Sequence, residues 1–518
     1  MHPAATLLEV LREHLGVRSP KDGCSPQGQC GCCTVWVDGQ PRVACVTPAA
    51  RVEGREVTTL EGLPEADRTR WADAFTATGA SQCGFCTPGI VMRLEGARRK
   101  GVGADDRRAV DQALAAHLCR CTGWQTIREA YARVAGGTAD EPVRDLVAAA
   151  QRATLEGGAA QVVGPAVVAG EGGFAEDTAP LGTPVAVRTG AGEWARGATL
   201  GDARRAAAKV QGRRSTVGLR WPLEPPPGDW DVVLCTTWVE PAYLEPDASW
   251  WIEGGGHGHP LANGGAFGGK ADSPVLAEAE ALAVERAHAE GGPAGVRVVW
   301  SREDVVRWGP KRPPIAAGLH ADGRGVVRVV RTPGVAAAIR AVLPAVEVEE
   351  VEVAGPATSM ALRAAGWAEA AVLRAVLDGL GTGAPPDDGV EVAHPGGGRA
   401  HVALRADGPG GAEQVHVTVW AGAPLDTVVL RSYCIGAVHQ ALGWVRREGV
   451  AVDDAGDVQD LTIRSFGVLR PADVPVVHVH VVAEDGPARP VSDAVFAATA
   501  AAAWRAAGLP ARWPVDRR

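Results

Sequence analysis

Gln82-Cys83-Gly84-Phe85-Cys86-Thr87-Pro88-Gly89, followed by Leu118-Cys119-Arg120-Cys121-Thr122-Gly123, decides how this chain is read. Cys83-x2-Cys86 puts two thiols on one turn, and Cys119-x-Cys121 puts two more side by side. The spacer between them has helical periodicity. Pro88 suits a helix start, where a missing N–H leaves no bond unmade. Four thiols gathered in this way fit structural zinc or an iron–sulfur cluster.

Upstream stands a second set, Cys24-x5-Cys30-x2-Cys33, then eleven intervening residues and Cys45. It resembles a plant-type [2Fe-2S] loop whose last ligand returns from a nearby strand. Gly23, Gly28 and Gly31 let backbone amides approach the sulfides. A zinc ribbon pairs two Cys-x2-Cys knuckles, and neither set does, so the spacing favours iron–sulfur while leaving zinc open. Nine of the eleven cysteines fall between Cys24 and Cys121. In a chain with no secretory leader in view, such clustering favours metal ligation over disulfides. Cys235 and Cys434 stand alone and read as core residues.

Around these sets the chain has a clear order. Residues 6–16 carry leucines at helical spacing and stop at Gly16. Two β-like runs, 34–37 and 42–46, flank Asp38-Gly39, a strong hairpin signal. Residues 64–134 are helical in period. A Gly-containing stretch with an amphipathic piece at 143–153 follows. Beyond it, runs at 232–239, 296–300, 401–404, 415–420 and 476–482 read as strands. Runs at 273–290, 358–380, 430–447 and 492–507 read as helices, the first with Ser273 as N-cap and Pro274 at its first position. The acidic run 347–352 reads as a solvated strand or loop.

The two cysteine motifs resemble the xanthine oxidase / aldehyde oxidoreductase family, the molybdenum hydroxylases. Gln82–Gly89 with Leu118–Gly123 matches that family's second cluster motif nearly letter for letter, and Gly23–Val35 is similar to its first loop. The resemblance implies an α+β multidomain chain. A β-grasp [2Fe-2S] domain would span 1–56, shortened at its N-terminus because only five residues precede the 6–16 helix. A four-helix-bundle [2Fe-2S] domain would span 57–135 and a linker 136–165. A shortened α/β molybdopterin-binding-like region would fill 166–518. The implied ligands are Cys24, Cys30, Cys33 and Cys45 for one cluster, and Cys83, Cys86, Cys119 and Cys121 for the other. The register chooses Cys33 over its neighbour Cys32.

The later chain carries fainter echoes in the family's order. Asn263-Gly264-Gly265-Ala266-Phe267-Gly268-Gly269-Lys270 also fits a flexible connector or a phosphate-loop frame, but position 271 is Ala where a magnesium-binding hydroxyl belongs. The resemblance makes it the loop that faces molybdenum. It implies cofactor contacts from Gln82, Gly265, Ala266, Phe267, Gly268 and Arg363. Gly436–Gly443 is similar to a cofactor-contacting helix. Several features depart from the pattern: the stretch between Asp247 and Gly264 is collapsed and lacks a family Gln, and Tyr433 stands where another Gln is expected. The region is about half the family's length, and the glutamate that acts as the family's general base has no counterpart. Glu484, Asp485 and Asp493 are acids in the same region, and no spacing selects one, so no catalytic residue is assigned.

The resemblance implies an oxidoreductase acting on an aldehyde or N-heterocycle, a small-molecule substrate. Two [2Fe-2S] clusters and a molybdopterin cofactor would carry the electrons. With no flavin domain evident, a separate FAD subunit or another acceptor is expected. The rival reading is an electron-transfer subunit with a degenerate, non-catalytic molybdenum domain. Composition narrows the partners. The 518 residues allow three to four domains. A net charge of −9 argues against nucleic acid. No apolar run is long enough to span a membrane, and a cytoplasmic location is expected. An oligomer is compatible with all of this.

Overall fold

The computed structural model describes residues 2–137, 144–209, 218–261, 263–264, 266–290, 294–383, 385, 388–408 and 411–516. The chain begins with a short helix, Leu7–Glu9, that passes into a π-helical turn, Val10–His14. Thr6 caps it by accepting from the Glu9 amide. A three-stranded antiparallel sheet follows, with Thr34–Val37 between Gln40–Val43 and Val57–Thr58. The expected second strand at 42–46 is therefore shifted. It ends at Val43, and Ala44–Val46 is a 3-10 turn. The Ala44 amide donates to the Cys33 carbonyl at 3.2 Å, which turns the backbone inward and brings Cys45 to Cys33.

Four helices come next: Glu65–Thr78, Thr87–Arg99, Arg107–Leu114 and Gln125–Gly136. Pro88 lies in the first turn of the second, as its missing N–H requires. The connecting stretch is packed against the rest of the molecule. It holds the helix Leu146–Gly157, whose Arg152 is fully buried and donates to the carbonyls of Pro424 and Arg489.

The remaining chain forms three sheets. One is five-stranded and mixed, with Ala248–Ile252 beside Gly295–Val299. A second runs through Val232–Cys235, Ile315–Leu319, Gly325–Val330 and Val346–Val351, the last of these holding most of the acidic run as an edge strand. The third comprises Val390–Ala393, Arg399–Ala406, Glu413–Trp420 and Val476–Val482. Helices Thr427–Arg446 and Ser492–Ala506 pack on this third sheet and on each other. One apolar core runs from Leu7 to Trp513, so the cysteine-rich quarter and the last hundred residues share an interior.

Two expected helices are altered. The 358–380 run is helical only from Trp367 to Thr382. Arg363 and Ala364 hold φ of 37° and 52°, outside helical geometry, and the Arg363 amide donates to the Phe267 carbonyl instead of to a helix turn. The helix expected from Ser273 begins at Val275, and the Ser273 hydroxyl bonds the Asp247 carboxylate rather than capping. The expected strand 232–239 ends at Cys235. Among the described residues, no helix is long and apolar enough to cross a membrane.

Candidate redox and cofactor site

The two cysteine sets lie back to back. In the first, the loop between Pro20 and Cys33 bends through Ser25, Gly28 and Gly31, all at positive φ. Cys24, Cys30, Cys33 and Cys45 are all buried. The Cys24 thiol is held well below its ordinary value because the Cys30 and Cys45 thiols donate to it, helped by the Gln29 and Gln27 amides. Those amides stand 3.4 and 3.2 Å from its sulfur. Cys45 is pushed up because it donates to Cys24 and Cys33. Cys32 is also buried, but its contacts are with the Cys30 thiol and carbonyl. The five thiols thus form a connected group in which Cys24 contacts Cys30 and Cys45, Cys45 contacts Cys33, and Cys32 contacts Cys30.

In the second set the sulfurs of Cys83 and Cys121 are 3.8 Å apart. Cys86 donates to Cys119 and lowers the Cys119 thiol to about 6, with the Thr122 hydroxyl 3.1 Å away adding to the effect. Two pairs of thiols are what two irons bridged by sulfides require. Among the described residues no three His, Cys, Asp or Glu side chains converge on a single-ion site.

The expected cofactor residues gather around the Thr427–Arg446 helix. Gln82 donates to the Cys121 carbonyl and to the Ser432 hydroxyl, both at 3.0 Å. Gly436 of the helix lies so close to Cys121 that a Cβ there would meet its carbonyl at 1.9 Å. Arg363, buried, donates to Gln440 at 3.1 Å and lies with its guanidinium over Phe267 and Phe496. Burial lowers its pKa, against the pull of Asp493. Gly268 is required by its surroundings: φ is +85° and a Cβ would strike the Ala361 carbonyl. Ala266 is buried behind the loop, and Gly265 lies outside the described residues.

Several partners here were given no role by the sequence. Asn263 donates to the Cys83 carbonyl at 2.9 Å and ties the Gly-rich loop to the second cysteine set. Gln161 reaches from the connecting stretch to the Tyr433 hydroxyl. Arg120, between two of the cysteines, forms a buried bidentate pair with Glu448. The three acids left open by the sequence are separated. Asp493 lies 3.4 Å from the Arg363 Nε, while Glu484 pairs with Arg399 and Arg489.

The donor set suits an anionic, hydrogen-bonding cofactor. The Nε of Arg363 is buried without a hydrogen bond, with Asp493 3.4 Å away, and Gln440 accepts from the same guanidinium. The cavity bounded by Arg120, Phe267, Arg363, Gln440 and Phe496 holds only about 40 Å3, room for a few waters.

Residues 59–132 match the family described as a [2Fe-2S] binding domain. The xanthine dehydrogenase iron-sulfur-binding subunit of Escherichia coli O157:H7 is 43% identical over 130 residues, 24% of this chain and 79% of the relative. The nicotinate dehydrogenase small FeS subunit of Eubacterium barkeri is 37% identical over 129 residues, 25% of this chain and 81% of the relative. Both cover only the cysteine-rich quarter. The whole fold is similar to aldehyde oxidoreductase from Desulfovibrio desulfuricans ATCC 27774, with a TM-score of 0.68 and 15% identity over 97% of this chain and 95% of that one. With the paired thiols and the arrangement around Gln82 and Arg363, these likenesses identify the chain as a member of the xanthine oxidase / aldehyde oxidoreductase family.

Proposed function

We propose that the chain is a molybdenum hydroxylase-type oxidoreductase that passes electrons through two [2Fe-2S] clusters. Cys24, Cys30, Cys33 and Cys45 ligate the first cluster, and Cys83, Cys86, Cys119 and Cys121 the second. The observation that carries the reading is the bonding of Gln82 to the Cys121 carbonyl, beside the helix that also presents Gln440 to Arg363. It joins an electron-accepting centre to a cofactor-shaped set of donors. The degenerate-domain alternative is weakened because Phe267, Gly268, Arg363 and Gln440 converge although the region is short.

Gln82, Phe267, Gly268, Arg363 and Gln440 would hold the molybdopterin, which when bound supplies the two-electron oxidation of a small aldehyde or N-heterocycle. The protein's part is positioning and proton handling. Arg363 fixes the site's electrostatics, and Phe267 and Phe496 give flat apolar walls for a ring. Asp493, at the start of the Ser492–Ala506 helix, is the acid placed to accept a proton on Oδ. The clusters held by Cys83/Cys86/Cys119/Cys121 and Cys24/Cys30/Cys33/Cys45 would supply the electron path to a separate acceptor, such as an FAD subunit. Metal analysis of purified protein tests the reading. About four irons and one molybdenum per chain are expected; iron without molybdenum overturns the hydroxylase assignment, and zinc in place of iron overturns the cluster assignment.

A further inference from the structure

Away from the Arg363 site, on the far side of the first cysteine set, a cavity of about 220 Å3 opens between the first helical turn and the helix Leu200–Ala207. Its wall includes Leu8, Pro26, Leu200 and Cys45. Half of the lining residues are charged: Glu9, Glu13 and Arg205 join a polar floor built from Arg12, Asp22, Glu176 and Arg204. Arg12, Asp22 and Glu176 are 3%, 3% and 6% exposed. The Arg12 Nε, one Asp22 carboxylate oxygen and one Glu176 oxygen have no hydrogen-bond partner. The other Asp22 oxygen pairs with Arg204 at 2.7 Å, and Glu176 lies 3.5 Å from Arg12. Buried polar atoms left this way carry a cost that a ligand's own polar atoms would remove.

We propose that this cavity binds a small planar quinone, which takes electrons from the first cluster through Cys45. The inference rests on the cluster reading above and names the class of its electron acceptor. Three features select a quinone. An apolar cavity of about 150 Å3 takes a benzene ring, so this one takes a one- or two-ring body and leaves no room for a complete flavin nucleotide. The floor offers both a donor, the Arg12 N–H, and acceptors, the carboxylates. A quinone oxygen accepts a hydrogen bond when oxidised, and its hydroxyl donates one when reduced, so both redox forms find a partner. Finally, a proposed cluster ligand forms part of the wall, so the acceptor ring packs against the electron donor.

The stoichiometry closes without further reactants. The reduced first cluster gives up one electron and returns to its oxidised form, and a second reduction of the cluster supplies the next. The two electrons and two protons from solvent convert both C=O groups of the quinone to C–OH, giving the hydroquinone.

The test uses the full chain, reduced with dithionite and freed of excess reductant. Rapid mixing with 1,4-naphthoquinone follows reoxidation of the cluster absorbance. The expected rate saturates with quinone concentration. Ala4, exposed at the cavity wall, is replaced by Trp to block the space without touching the core. Ala4→Trp should weaken the apparent quinone affinity by about tenfold or more, while reoxidation by ferricyanide, which needs no pocket, stays unchanged. A linear dependence on quinone with the same slope in Ala4→Trp overturns the quinone site. A preparation with no reducible iron instead overturns the cluster reading on which it stands.

Discussion

The Leu118 amide donates to the Cys30 carbonyl across 3.0 Å, so the backbone leading into Cys119 is bonded directly to the backbone that carries Cys30. The two cysteine sets therefore share a short covalent and hydrogen-bonded path. Around that bond the packing is tight. A Cβ on Gly89 would meet the Gly31 carbonyl at 2.3 Å and the Cys32 carbonyl at 2.8 Å.

Gly89→Ala wedges these two backbones apart, since neither carbonyl sits on a flexible side chain. Both clusters are expected to assemble, with the magnetic coupling between their reduced signals weakened. Pulsed paramagnetic resonance measures that coupling. An unchanged coupling would show that the contact does not set the spacing of the centres.

The cysteine variants separate ligands from bystander. Cys33→Ser should drop iron from about four to about two atoms per chain and remove one reduced signal. Cys86→Ser should remove the other. Cys32→Ser should keep both, because Cys32 lies outside the Cys24/Cys30/Cys33/Cys45 register; loss of a signal would make Cys32 the ligand. Iron assay with low-temperature paramagnetic resonance reads all three.

Asp493→Asn should lower kcat by about 10²–10⁴-fold, the usual contribution of a general base, with iron and molybdenum content intact. Glu484→Gln should leave the rate near wild type. The reverse ranking would move the proton acceptor to Glu484.

Glu448→Gln leaves the Arg120 guanidinium buried without its counter-charge. Breaking a buried pair from one side costs about 3–5 kcal/mol. A marked fall in Tm is expected, together with loss of the second cluster's signal on mild heating, since Arg120 lies between Cys119 and Cys121.

His439 is buried, and burial followed by the nearby Arg120 lowers its pKa to about 3 from 6.5. The folded state therefore keeps it neutral where the unfolded chain takes up a proton. The stability it contributes is complete above pH 6.5 and is lost as the pH falls toward 3. The slope from this one group is about 1.4 kcal/mol per pH unit. Denaturant titrations at several pH values should show a shallower acid slope in His439→Gln.

The cysteine sets were legible because ligand spacing is written locally. Cys83-x2-Cys86 and Cys119-x-Cys121 state their geometry within a few residues. The Arg363 segment was legible as a motif but not as a shape. Helical periodicity covers 358–380, whereas the backbone there turns left-handed to bond Phe267, a tertiary demand that overrides propensity. Gln161 and Glu448 carried no signal, because each acquires its role only from a partner distant in the chain. Asp493 could be separated from Glu484 only once the fold put Arg363 beside one of them.

The Thr427–Arg446 helix seats Gly436 on the Cys121 carbonyl and Ser432 on Gln82. The lid over the second cysteine set is thus synthesised long after the set itself. Closure of that set therefore depends on residues more than 300 positions further along the chain.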